Sequence, residues 1–160
     1  MKLTRISSFA RFAGCIIAAA LLGAAAQTDP MIGDWKLNLA KSRYNPGPPP
    51  RSSGLNVHQA GEGLMAMFDN VNAKGKSVQP MFTVLCNGQP QPVTGNGQVD
   101  SMSCRRANPN LQEFTNMKGG KVTTTGTIVI SPDGRTMTIS NKGTNVDGEA
   151  VDNVAVYERQ

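Results

Sequence analysis

The sequence predicts an all-β fold: a single antiparallel up-and-down β-barrel of about nine or ten strands behind an N-terminal signal peptide. Three observations predict it. Apolar and polar residues alternate along short runs, beginning with Gly33-Asp34-Trp35-Lys36-Leu37-Asn38-Leu39, which holds the only Trp of the chain. Period-two alternation marks a half-buried strand. Glycine-containing turns separate the runs at roughly ten-residue spacing, so most connections are hairpins, and a meander closes most simply into a barrel. Lastly, no helical periodicity of useful length follows the opening segment.

That opening segment, residues 1–26, has the three parts of a secretory signal. Lys2, Arg5 and Arg11 form a basic region, Phe12 to Leu22 an apolar one, and Ala24-Ala25-Ala26 a small-residue cleavage site. The apolar run is too short to span a bilayer comfortably. Cys15 lies inside it rather than after it, which argues against lipid attachment, and no Arg-Arg pair precedes it. The expectation is export by the general route to a periplasmic or secreted location. Residues 27–160 then form one barrel domain, monomeric and not inserted in a membrane after the signal is removed. A chain of 160 residues has no room for a second ordinary domain.

The formal charge of +5 falls to +2 once the three signal cations, which come with no acidic residue, are removed. The remaining charges of both signs are interspersed, which suits solubility better than polyanion binding. Arg105-Arg106 is the only later basic doublet and has no interleaved aromatics, so nucleic acid is not an expected partner. Loss of Cys15 leaves two cysteines. In an oxidising compartment Cys86 and Cys104 are expected to pair, the alternative being two buried free thiols. Two cysteines and one distant histidine lack zinc-type spacing, so no metal and no cofactor are expected.

Each element follows from local chemistry. Gln27 to Ile32 reads as a loose lead-in, and Gly33–Leu39 as the first strand, with Trp35 plugging the closed end. Ala40 to Tyr44 allows one helical turn. Asn45-Pro46-Gly47-Pro48-Pro49-Pro50 forces an extended connector outside the sheet, because proline donates no ladder hydrogen bond. Leu55 and Val57 alternate in a strand ending near Gln59. Leu64–Val71 follows, with Met65 and Met67 on one face and Ala66 and Phe68 on the other. Val78–Cys86 is apolar, with Pro80 marking a bulge or an edge. Asn87-Gly88 is a hairpin signal. Only a short irregular strand around Val93 fits between the prolines and glycines of Gln89–Gly97. Val99–Arg105 and Leu111–Lys118 alternate again, leaving Phe114 inward or outward. Lys121–Ser131 is rich in β-branched residues, Pro132-Asp133-Gly134 supplies a turn, and Met137 and Ile139 alternate with threonines and Ser140. Val151–Glu158 closes the chain. Asn72-x-x-Gly75-x-x-Val78 and Asn145-x-x-Gly148-x-x-Val151 share a spacing and read as two similar hairpins.

Gly33-Asp34-Trp35, the meander and the closing Val154-Ala155-Val156-Tyr157-Glu158-Arg159 resemble the calycin superfamily, which contains the lipocalins and the fatty-acid-binding proteins. Within it, the chain is most similar to small exported bacterial lipocalin-like proteins of unknown role. The pattern is Gly33-x-Trp35-Lys36-Leu37-Asn38-x-Ala40-Lys41-Ser42, then Pro46-Gly47-Pro48, then Asn153-Val154-Ala155-Val156-Tyr157. The resemblance implies that Trp35 packs at the barrel base beneath a basic residue, for which Arg159 is the positional candidate. It also implies a departure. Tyr157 matches the Tyr of the carboxylate-gripping Arg-x-Tyr pair of fatty-acid-binding proteins, but Ala155 stands where the Arg would be.

Catalytic constellations are not readable. His58 is the only histidine, and no Ser, Cys or carboxylate partner is spaced to orient it, so the chain is not expected to be an enzyme. Met65-x-Met67 places two thioethers on one face, as Cu(I) sites do, yet methionine also fills irregular cores and adaptable cavities. The scattered aspartates suit turns and form no calcium loop. The expected function is therefore binding of a small apolar or amphipathic molecule, with Met65, Met67, Phe82 and Tyr157 lining the cavity. The alternative is a protein-interaction module without a cavity, such as a periplasmic inhibitor or accessory protein.

Overall fold

The computed structural model describes residues 28–160, so the expected signal at 1–26 lies outside the described residues. Eleven strands form one antiparallel sheet: β1 Gly33–Leu37, β2 Ser52–Ala60, β3 Gly63–Val71, β4 Ser77–Val78, β5 Met81–Val84, β6 Gln91–Thr94, β7 Ser101–Asn108, β8 Leu111–Lys118, β9 Lys121–Ile130, β10 Thr136–Thr144 and β11 Ala150–Arg159. Among them, ten close into a ring, because β1 pairs with β11 on one side and β2 on the other, and β2 pairs on with β3. The two-residue β4 pairs only with β3. It continues the line of β5 beyond an interruption at Gln79-Pro80, so the apolar stretch expected as one strand is broken at its proline.

The expected helical turn is a single 3-10 turn, Leu39–Lys41, capped by Asn38, whose side chain accepts the Lys41 N–H. Beyond it the chain rejoins β11. Arg43 bridges Val154, and the Asn45 carbonyl accepts the Asp152 N–H, before the prolines carry it over to β2. The echo between Asn72 and Asn145 is a real structural repeat. Each asparagine side chain accepts the N–H groups two and four residues on, and each carbonyl accepts the glycine N–H three residues on. Gly75 and Gly148 both take φ of 83°, a left-handed conformation open to glycine.

One side of the ring is thin. Strand β6 makes two residue pairs with β5 and two with β7. Toward the closed end β5 and β7 approach each other directly. Asn87 bridges Arg105, the Gly88 N–H donates to the Cys104 carbonyl, and Cys86 and Cys104 form a disulfide. The bond therefore staples the wall beneath the short β6 wedge.

The interior is a continuous apolar core running from Met31, Trp35, Ile130 and Met137 at one end to Phe114 and Met102 further along. The lead-in is not loose as expected. Met31 is buried in the core, and Asp29 pairs with Arg106 at 2.5 Å, so residues 28–32 fold back across the barrel base. Burial of a methionine and a partly shielded ion pair outweigh the freedom of so short a segment.

Candidate functional site: the barrel interior

The base of the barrel is sealed by three residues. Trp35, 2% exposed, donates its indole N–H to the Met31 carbonyl at 3.0 Å. Arg159 lies over the Trp35 ring, with its guanidinium carbon 4.2 Å from the ring centroid. The same guanidinium donates to the carbonyls of Gly134, Ile32 and Pro30, each at 2.7 Å. Gly33 makes this possible: a Cβ there would run into Arg159 Nη1. Sequence position alone indicates the Trp35–Arg159 contact, but not the lead-in carbonyls that complete it.

Above this base lie two neighbouring spaces. The deeper one, about 40 Å³, is walled by Leu55, Val57, Leu64, Ala66, Met137 and others, with Gln112 its only polar side chain. The upper one, about 240 Å³, is walled by Val93, Val99, Met102 and Phe114, and four asparagines, Asn70, Asn96, Asn116 and Asn141, also face it. Phe68, Phe82, Ile128 and Ile139 line both. Among the described residues, no ionisable side chain lines either space. The upper volume lies just below the usual range of roughly 300–1,000 Å³ for small-molecule sites.

Its polar groups are unevenly satisfied. Asn116 Nδ2 donates to Thr124 Oγ1 at 3.0 Å. Asn96 Oδ1 accepts the Gln98 N–H, while Asn70 Oδ1 is buried with no partner. Beside the deeper space, Gln112 Nε2 is likewise buried without a partner. The Gln112 Oε1 lies 3.6 Å from Cys104 Sγ, a disulfide sulfur that carries no proton to donate.

The four residues expected to line the cavity separate. Phe82 lines both spaces and stands 6.1 Å, centroid to centroid, from Phe68. Tyr157 is buried behind Phe68, ring edge toward ring at 6.5 Å, with its hydroxyl hydrogen-bonded to Ser53 at 2.8 Å. Burial raises the Tyr157 pKa above its ordinary value, a shift the Ser53 bond opposes. Met65 and Met67, expected in that lining, stand on the outer face instead. The inward set on β3 is Leu64, Ala66, Phe68 and Asn70, while Met67 is 37% exposed on an outer-wall groove that also holds Met81. Both faces of β3 are apolar, so alternation does not say which one turns in. Register decides it, because Ala66 leaves room for the facing ring of Phe82.

Several other residues are settled in place. Phe114 points inward against Gly126. His58 is exposed, its Nδ1 within 3.0 Å of Asn56 Oδ1. Arg106 is held by Asp29 and also donates to the Pro109 carbonyl. Nothing in the sequence marks the asparagines and Gln112 as site residues, since asparagine in strand-and-turn sequence looks like turn chemistry. The one available signal is that Asn70, Asn116 and Asn141 fall on the inward parity of their strands.

No family model matches the chain, and no curated protein is similar to it in sequence. Among solved structures, the chain is similar to the zebrafish ileal bile acid-binding protein complexed with cholic acid. The match has a TM-score of 0.50 at 14% identity and covers 82% of this chain and 99% of that one. The likeness is one of fold. This chain is a calycin-like closed barrel of ten antiparallel strands.

Proposed function

We propose that the chain is a small exported binding protein that holds one small apolar or amphipathic molecule inside its barrel. The observation that carries this reading is the interior space of about 240 Å³, walled by Phe68, Phe82, Phe114 and Ile128 and placed above a sealed base. The space equals about eight waters' share of liquid volume and is apolar on most of its walls, which suits the apolar part of a small ligand. The fold neighbour is a bile acid-binding protein complexed with cholic acid, which supports the same reading. Residues 1–26 act as the signal peptide and residues 27–160 as the working monomer, kin to the small exported bacterial lipocalin-like barrels. The Cys86–Cys104 bond supports a periplasmic or extracellular location, where disulfides persist. Among the described residues no helix is long and apolar enough to cross a membrane. Trp35 and Arg159 close the base and leave the ligand to the residues above.

The protein-interaction reading has one observation in its favour, the outer-wall groove with Met67 and Met81 exposed at 37% and 43%. It needs a filled interior and a free extended segment. The cavity and the folded-back lead-in argue against both.

Native mass spectrometry tests the proposal on protein exported to a bacterial periplasm, before and after solvent extraction. The expected result is a reproducible extra mass that leaves on extraction. A clean polypeptide mass that persists after incubation with a lipid and haem panel would turn the reading toward protein partners.

A further inference from the structure

We infer that the outer face of β2, β3 and β5 binds a soft monovalent cation, Cu(I), through His58 Nε2 and the thioethers of Met65, Met67 and Met81. The site lies outside the barrel and goes beyond the carrier reading. On these three strands the inward positions are held by Leu55 and Val57, Leu64 and Ala66, and Phe82 and Val84. Alternation therefore turns His58, Met65, Met67 and Met81 outward together. Register makes them neighbours: His58 stands opposite Met65, and Met67 stands opposite Met81. Opposite residues on adjoining antiparallel strands have Cβ atoms about 4.5–5.5 Å apart, and next neighbours along one face of a strand stand about 7 Å apart. Methionine, unbranched and with three rotatable bonds, can swing its sulfur across such gaps.

The outer face of an antiparallel wall is ordinarily polar. That rule fails at Met67 and Met81, two directly paired positions that are 37% and 43% exposed. Burial gains little from side chains so placed, whereas a thioether that solvent reaches keeps its lone pairs for a soft metal. Asp34 and Asp69 line the groove that Met67 and Met81 share, and no Lys or Arg lines it, so the local field favours a cation.

His58 is oriented to ligate. Asn56 Nδ2 donates to Asp34 Oδ1 at 2.7 Å, which leaves the Asn56 Oδ1 toward His58. That oxygen can only accept, so at 3.0 Å the neutral imidazole donates from Nδ1 and carries its free lone pair on Nε2. Metal-bound histidines are held in this way, the second ring nitrogen donating to an oxygen that fixes the tautomer. The donor set then selects the metal. Three neutral sulfurs and one imidazole suit Cu(I), whereas calcium and magnesium take oxygens and zinc takes thiolate, imidazole or carboxylate. Among the described residues no group of three or more His, Cys, Asp or Glu side chains is placed to hold a harder ion.

The test uses protein purified from a bacterial periplasm with its disulfide intact and its methionine methyls labelled. It is titrated by NMR in chloride-free buffer with Ag(I), a diamagnetic stand-in for Cu(I). The methyls of Met65, Met67 and Met81 and the ring of His58, the only histidine, are expected to shift together and saturate at one equivalent. The buried Met31, Met102 and Met137 should stay in place. Competition with a chromophoric chelator under ascorbate then gives the Cu(I) affinity. Met67→Leu, Met81→Leu and His58→Gln leave the core untouched and should each weaken it about tenfold or more. Asn56→Leu should weaken it about tenfold while the three methyls still respond to Ag(I), as befits a positioning residue. Met117→Leu, on β8, should change nothing. Silent methyls, shifts confined to other methionines, or an affinity unmoved by all the outer-face variants would overturn the inference. So would Zn(II) saturating the same methyls at one equivalent. None of these outcomes touches the carrier reading, which rests on the interior.

Discussion

The guanidinium carbon of Arg159 stands 4.2 Å from the centre of the Trp35 ring, and the two residues face each other across the β1–β11 ladder. Arg159 is thus at once a lid on the indole and a three-way tie, through its bonds to the Gly134, Ile32 and Pro30 carbonyls. A lysine has no planar fork to reach three carbonyls. Arg159→Lys should therefore cost about 2 kcal/mol and Arg159→Ala about 3 kcal/mol in urea unfolding. Gly33→Ala, which drives a Cβ into the guanidinium, should cost about 1–3 kcal/mol. Trp35 is the only Trp, so its fluorescence reports the base directly. Unchanged midpoints in all three variants would refute the tie.

Gly126 carries a second constraint. It faces Phe114 across the β8–β9 ladder, and a Cβ there would lie 2.6 Å from the Phe114 ring and would strike the Ser140 carbonyl. Backbone cannot step aside as a flexible side chain can. Gly126→Ala is expected to lower stability by about 1–3 kcal/mol, and Phe114→Leu in the same chain should recover part of it. Additive losses in the double variant would show that ring and glycine are uncoupled.

Much of this fold is legible in the sequence because its signals are local. Turn glycines, the Asn72 and Asn145 turns and the β-branched run of β9 act within a few residues of themselves, and they place most strands. The base is legible through Trp35 at the start of the chain and Arg159 at its end. What is not legible depends on register across the ring. The apolar faces of β3 look alike in one dimension, so Met65 and Met67 read as lining although Ala66 and Phe68 turn inward. The lead-in reads as loose because its anchors, Arg106 and Arg159, are distant in sequence. Gln112 and Asn70 share the interior only once the barrel has closed.

The two tyrosines carry a prediction at alkaline pH. Burial, with the neighbouring Tyr157 adding to it, raises the Tyr44 pKa above the ordinary 10.0, and burial raises that of Tyr157. The folded chain therefore keeps these protons to higher pH than the unfolded chain does. Above the unfolded value near 10.0 the unfolded state binds fewer protons, so stability is fully present below that pH and falls above it. The chain has only these two tyrosines. Phenolate absorbance should show no step near pH 10 in the folded protein and both steps there in concentrated urea. A full tyrosine step near pH 10 with the fold intact would contradict the burial.

The Cys86–Cys104 bond closes a loop with a sequence separation of 18, beneath β6, the one of the ten ring strands with the fewest ladder pairs. Loop closure of this size contributes about 3 kcal/mol. Reduction, or Cys86→Ser with Cys104→Ser, should lower stability by about that much. Hydrogen exchange should rise first in β6 and the adjoining ends of β5 and β7 rather than in β9 and β10. Uniform loss of protection around the ring would show that the bond supports the barrel as a whole.

Phe82 and Met67 make opposite predictions from neighbouring strands. The Phe82 ring is part of the wall of both interior spaces, while Met67 is exposed on the outer face. Phe82→Ala should cost about 3 kcal/mol and enlarge the cavity, since the neighbouring Phe68 and Phe114 are themselves packed in place. Met67→Ala removes a side chain with little to lose and should stay within about 0.5 kcal/mol. The same pair separates the two functional readings. Phe82→Ala should alter the affinity or size preference for alkanols, and Met67→Ala should leave both unchanged. A ligand whose affinity follows Met67 and ignores Phe82 would bind on the outer wall, and the interior would then be no more than an imperfectly filled core.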